Sequence, residues 1–230
     1  MSSHDEKSTP AVPDTPAIAP TYDVKLTGQY VTIIPVSPSH AEALYPQISG
    51  PERASLFEYL SGDPPESLDQ FRASLAKKAD TTNPWTYTIL LSSTSQPVGL
   101  VSLLRMDARN RVIEIGSILY APSLQRTPAA TEVQYLFASY VFDTLHFRRY
   151  EWKCNDRNKP SLKAAKRLGF TYEGTFRQHM ITRGRNRDTA WFSIVDGEWG
   201  GLKGAFEGWL EEGNFDEGRQ KKRLEDFREV

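Results

Sequence analysis

The stretch Arg111–Tyr120, RVIEIGSILY, is a nearly continuous apolar run with one acid, Glu114, inside it. Side chains of a strand alternate between two faces, so a run that is apolar at both parities has to be covered on both. That requirement excludes a single-layered sheet and calls for a central strand between two layers. The run leads through the junction LYAPSLQRTPAAT into VQYLFASYVF, where Val133, Leu136, Phe137, Tyr140 and Val141 recur at helical spacing. Such spacing predicts a helix with one apolar face laid back on the sheet.

The flanking segments fit this frame. Gln29–Ser37 alternates as a first strand, and SHAEALYPQIS reads as a helix with a serine N-cap, interrupted at Pro46. PPESLDQFRASLAKKAD is a clearer helix, opened by Pro64 or Pro65, with acids early and lysines late, as the helix dipole favours. Trp85–Ser92, Val98–Met106 and Arg111–Tyr120 form a meander across the turns STSQP and DARN. RRYEWKCN is a short aromatic strand. NKPSLKAAKRLGF is a short helix with Asn158 as cap, Pro160 in its first turn and Gly169 in a left-handed stop. FTYEGTFRQHMIT and RDTAWFSIV make a final hairpin across RGRN. The resulting class is α/β or α+β, with a mixed, mostly antiparallel central sheet and flanking helices.

Three regions follow: a Pro- and Ser-rich leader over residues 1–22, expected to be disordered, a domain over 23–199, and a C-terminal extension over 200–230. In the extension, Trp199, Leu202, Phe206, Trp209 and Leu210 share one helical face, which packs on its own domain or on a second copy in a homodimer. The tail after it is highly charged and expected to be frayed or only partly helical.

The 230 residues carry a formal charge of −1, which gives no bulk attraction to nucleic acid or to an anionic membrane. A single cysteine, Cys154, allows no internal disulfide, and four scattered histidines offer no metal spacing. There is no apolar run of spanning length and no apolar secretory segment, so the expectation is a cytoplasmic protein without a membrane partner.

The junction is the first candidate for chemistry. Thr127 is placed to cap the helix and Pro128 to start it. The end of a helix exposes unpaired N–H groups and partial positive charge, so Ala129, Ala130 and Thr131, with Arg126 and Gln125 beside them, can hold an anion. The plainer reading is that Thr-Pro simply starts a helix. No GxGxxG or GxxxxGK[ST] loop occurs.

IEIGSILYAPSLQRTPAATEVQYLFASYVF, RRYEWKCNDRNKPSLKAAKRLGFTYEGTFR and GRNRDTAWFSIVDGEW, taken in order, resemble the GNAT-superfamily N-acetyltransferases. The likeness is strongest to the branch that acetylates ribosomal-protein serine and alanine termini. It covers roughly Lys25–Trp199, with its specific part in Ile113–Trp199. The family loop Gln/Arg-x-x-Gly-x-Gly/Ala aligns with Gln125–Ala130, and Pro128 stands where the first glycine belongs. The downstream pattern matches Asn158, Ser161, Ala165, Leu168–Phe170, Glu173, Gly174 and Arg177.

The resemblance implies acetyl-CoA as cosubstrate, no metal, and direct acetyl transfer in a ternary complex to a primary amine: a peptide α-amine, an amino acid or a small amine. It also implies a V-shaped splay between the strand Ile115–Tyr120 and the strand Tyr150–Asn155. Pantetheine would run along Ile115, Ser117 and Leu119. The diphosphate would lie on Gln125, Arg126, Thr127, Ala129, Ala130 and Thr131, and Asn158 and Ser161 would stand near the sulfur.

An amine attacks only when neutral, so a base is needed. Glu114 is the first candidate, as a carboxyl inside an apolar strand. Pairing with an arginine is the equal alternative. Glu151, beside Lys153 on the polar positions of its strand, is a weaker candidate for the base and reads first as an exposed pair, and Glu132 reads as a group serving its own helix N-terminus. Ser161 and Asn158 cap their helix and can also contact the cofactor, while Tyr172 is a weaker acid candidate. Cys154 reads as a buried inert thiol, which disfavours a covalent intermediate. Arg177, Arg183, Arg187 and Asp188 either frame the acceptor entrance or form surface pairs. The alternative to an enzyme is a catalytically idle acyl-CoA-binding or protein-interaction module, suggested by Pro128 and the aromatic C-terminal helix.

Overall fold

The computed structural model describes residues 12–228; residues 1–11 of the leader lie outside it. An eight-stranded sheet runs in the order β1-β2-β3-β4-β5-β6-β8-β7. Its strands are β1 (Leu26–Thr27), β2 (Val31–Pro35), β3 (Trp85–Leu91), β4 (Pro97–Asp107), β5 (Val112–Tyr120), β6 (Arg149–Asn155), β7 (Thr171–Thr182) and β8 (Arg185–Val195). The one parallel pair is β5 with β6. Parallel neighbours need a crossover, and α3 (Pro128–Ser139), with a π-helical turn over Tyr140–Thr144, supplies it.

The sheet is covered as the apolar run requires. On one face α3 and α5 (Asp196–Leu210) bury Ile113, Ile115, Tyr150, Trp152, Phe137 and Phe206. On the other, α1 (Ala41–Ile48) and α2 (Leu68–Ala79) cover Leu100 and Leu119. A short α4 (Lys159–Arg167) follows β6.

Two predicted helix details differ. Pro46 lies inside α1, two residues before its end, so it sits in the last turn instead of breaking the helix. The next helix starts at Leu68, because the Ser67 hydroxyl accepts the Gln70 amide at 3.2 Å and outcompetes Pro64 and Pro65 as the start. The C-terminal extension is also more ordered than its charge suggests. Trp199, Phe206, Trp209 and Leu210 are buried against the chain's own domain, and Leu224 in the tail is buried beside them. The second half of the leader runs along the domain, where Ala17 donates to the Ala108 carbonyl at 2.9 Å and Ile18 to Leu145 at 2.9 Å.

Glu132 does not serve its own helix end. Its carboxylate is buried and accepts the amides of Gln29, Tyr30 and Val31 at 2.7, 2.7 and 2.8 Å. A Cβ on Gly28 would stand 2.3 Å from the Glu132 carboxyl carbon, so only glycine lets the loop wrap this closely.

Candidate active site

The pairing of β5 with β6 runs from Val112↔Arg149 to Ile115↔Trp152 and then stops. Beyond it Gly116–Tyr120 and Lys153–Asn155 diverge, so the predicted splay is present. A bulge helps to open it. Leu100 faces Leu119 and Ser102 faces Gly116, which places an extra residue in β5, and Ser117 adopts φ 50°. Bulges bend a strand and interrupt its ladder. Ile115 belongs to the last paired rung and is fully buried, so the free edge begins at Gly116 and not at Ile115. Ser117 is exposed, whereas the Leu119 side chain is spent on the α1–α2 core. Only its backbone lies on the free edge.

The free edge runs into the junction. Thr127 is extended, its hydroxyl oxygen accepts the Ala130 amide at 3.2 Å, and its own proton goes to the Leu124 carbonyl at 2.6 Å. The cap therefore consumes Ala130. Thr131 is the first residue whose amide has an intrahelical acceptor, and its buried hydroxyl accepts from Arg167 at 3.1 Å. Neither offers the free donor expected of it. The amides of Arg126, Thr127 and Ala129 have no acceptor among the described residues. Proline at 128 thus costs one donor and leaves three around it. Arg126 is exposed at φ 61°, and the exposed Gln125 donates its side-chain amide to the Tyr120 carbonyl at 3.0 Å.

Across the splay, Asn158 caps α4 by accepting the Ser161 amide at 3.1 Å. The Ser161 hydroxyl oxygen accepts the Trp152 indole N–H at 3.0 Å, which leaves the serine's own proton to donate. Cys154 is buried on the Trp152 side of β6, and burial pushes its thiol pKa up, against a smaller lowering by Ser161. A thiol held protonated is a poor nucleophile.

Glu114 is 3 % exposed, and its Oε2 takes both Arg105 at 2.5 Å and Lys153 at 3.1 Å. This is the paired alternative. Oε1 takes neither cation and lies next to Gly116, since a Cβ there would be 3.4 Å away. Arg105 reaches this face because β4 bulges between Leu104 and Asp107 and Arg105 sits at φ 49°.

Lys153 also binds Glu151 at 2.7 Å, Glu151 binds Arg149 at 2.8 Å, and Arg149 binds Glu173 at 2.6 Å. The Glu151–Lys153 pair was expected to be exposed, yet their side chains are 10 and 6 % accessible. The parallel register sets Glu114 beside Glu151, and Trp191 of β8 lies under Lys153 with its ring 3.7 Å from the ammonium. The Arg149 guanidinium and the Ser193 hydroxyl hold the Glu173 carboxyl down at about 2. Sequence reasoning missed Arg105 and the continuity of this chain. The polar spacing of Arg149, Glu151 and Lys153 was a signal, but it looked like a solvated face.

The acceptor-side arginines separate. Arg183 binds Asp63 at 3.0 Å and the Gly62 carbonyl at 2.8 Å, tying the β7–β8 turn to the loop before α2. Asp188 accepts the Gln178 amide and the Asn186 side chain, stapling its own hairpin. Arg187 forms no ion pair among the described residues. Tyr172 is half-exposed and shares a hydrogen bond with Thr175 at 2.8 Å.

A sheet with one parallel strand pair that parts beside a capped helix end leaves a cleft between β5 and β6. Comparison with known proteins makes the class specific. Residues 31–171 match the acetyltransferase (GNAT) domain family, and the chain belongs to that family. The crystal structure of a GCN5-related N-acetyltransferase from Brucella melitensis is 43 % identical, covers 94 % of this chain and 98 % of its own, and superposes with a TM-score of 0.91. The uncharacterized N-acetyltransferase p20 of Bacillus licheniformis is 30 % identical over 115 residues, half of this chain. YdaF of Bacillus subtilis strain 168, whose description is of ribosomal N-acetyl transfer, is 29 % identical over 105 residues, or 46 % of this chain. These alignments span 64 and 57 % of the two relatives' lengths. Among the described residues no helix is long and apolar enough to cross a membrane.

Proposed function

We propose that this protein transfers an acetyl group from acetyl-CoA directly to a primary amine, with both substrates bound together. The observation that carries the reading is the unpaired β5 edge from Gly116 running into three unsatisfied amides at Arg126, Thr127 and Ala129. A strand edge suits the amides of pantetheine, and backbone donors at a helix start suit a diphosphate. The residues present therefore fit the cosubstrate. When bound, it supplies an activated acetyl thioester.

The chain's own groups have distinct duties in this reading. Arg126 and the three amides hold the diphosphate, and the β5 edge fixes the arm at the splay. Asn158 sets the start of α4, and Ser161 holds a proton at Oγ for the departing sulfur. Glu114 Oε1 is the nearest free carboxylate oxygen to Gly116 and accepts the proton that the amine must lose. Most of the acceleration comes from holding amine and thioester together. Buried Cys154 takes no part, consistent with direct transfer. The relatives' names support an N-acetyltransferase, and the acceptor class spans a peptide α-amine, an amino acid or a small amine.

The test has two stages. Calorimetry with acetyl-CoA should show saturable binding; no binding at millimolar ligand removes the reading. Mass spectrometry of an amine and peptide library should then show acetylated products. Ser161→Ala should lower kcat about 10- to 100-fold with little change in cofactor affinity. Unchanged turnover would remove that role alone.

A further inference from the structure

Three buried polar atoms on one strand have nothing to bond to. They are Arg187 Nε, Thr189 Oγ1 and Trp191 Nε1, each shielded from solvent and without a hydrogen-bond partner among the described residues. Their positions are not scattered. Residues 187, 189 and 191 alternate along β8 and so share a face. The register pairs Trp191 with Lys153 and Thr189 with Asn155, so this face also carries Lys153 and Glu151, and through the parallel rung Glu114.

Native proteins rarely leave buried donors unsatisfied, and those that remain call for an explanation such as a ligand. Two of the three atoms can only donate, and the threonine hydroxyl can do so too. A partner must therefore bring acceptor oxygens. The charge balance says which kind. Along this face Arg105, Lys153 and Arg149 pair with Glu114, Glu151 and Glu173, three cations to three carboxylates. Arg187 is the cation left over. Burial lowers its pKa, with Cys154 and Glu114 opposing and Arg105 adding to the shift.

Resting on the acetyl-transfer reading, we infer that Arg187, Thr189 and Trp191 form an acceptor subsite for an anionic group, a carboxylate or phosphate, attached close to the amine that is acetylated. The subsite lies on the strand next to β6, one strand from the splay. It favours amino-acid-like or phosphorylated amines over simple alkylamines and polyamines, whose extra cations would meet Arg187 and Arg105.

Matched ligand pairs test this. Glycine is set against glycinamide, and phosphoethanolamine against ethanolamine, by calorimetry with the full chain, with and without saturating CoA. The anionic member of at least one pair should bind about ten-fold tighter or more, as a charge-assisted contact requires. Which pair responds distinguishes carboxylate from phosphate. Arg187→Gln and Trp191→Phe should each shrink that ratio while leaving CoA affinity unchanged; a KM rise at near-constant kcat should accompany it where turnover is measured. Equal or tighter binding of the neutral members, or a ratio that survives both substitutions, overturns the subsite. Failure of CoA itself to bind would instead count against the acetyl-transfer reading, and the titration without CoA still reads the anion.

Discussion

The two faces of β6 are both buried, but by different means. Tyr150, Trp152 and Cys154 point into an apolar core built by α3 and α5. Arg149, Glu151 and Lys153 lie on the opposite face, in a chain of ion pairs from Arg105 to Glu173. The apolar face gains from removing area from water. The ionic face loses hydration and recovers it only through partners, so its members depend on one another. The difference has a functional corollary: the face that carries fixed charge also carries the free Glu114 oxygen and the unsatisfied donors of β8.

The contrast can be broken most severely at its centre. Lys153→Met should destabilise the fold by about 3 kcal/mol or more in chemical denaturation, because Glu114 and Glu151 lose the cation between them. A loss below about 1 kcal/mol would show that water already screens this face.

Glu132 sharpens the comparison, since it is a buried carboxylate held by three neutral amides instead of cations. Glu132→Ala should cost about 2–3 kcal/mol by orphaning those donors. An unchanged midpoint would mean that the strand start at Gln29–Val31 finds other partners.

On the apolar side, Trp152→Phe keeps an aromatic ring in the core but removes the bond to Ser161 and part of the buried ring. It should cost about 1–2 kcal/mol in stability. In addition, kcat should change if Ser161 needs the indole to aim its proton.

The smallest effect lies at the exposed end of the ionic chain. The carboxyl of Glu173 is depressed from 4.5 to about 2, first by Arg149. A depressed acid contributes stability that is present above its unfolded pKa and lost as pH falls through the folded one. Denaturation midpoints should therefore decline between about pH 4.5 and pH 2, and Glu173→Gln should flatten that decline. Its side chain is 39 % accessible, so the contribution stays below about 1 kcal/mol. An identical acid slope in the variant would reject the assignment.

Much of this arrangement was legible in the residues. Thr127-Pro128 and Asn158-x-Pro160 are local capping signals, and both cap as their chemistry directs. Gly169 stops α4 at φ 97°. The misread residues are those whose environment is set by distant strands. Glu132 acts 101 to 103 positions from the amides it holds, and Glu151 and Lys153 are buried by neighbours on other strands.

The sequence by itself determined the strand and helix periodicities, the caps and the family of the fold, because these depend on neighbours a few residues apart. Tertiary structure alone decided where β5 and β6 part, which amides stay free around Pro128, and which charges lie buried together. Register and bulges set those outcomes, and a one-residue shift in either would turn each side chain to the other face.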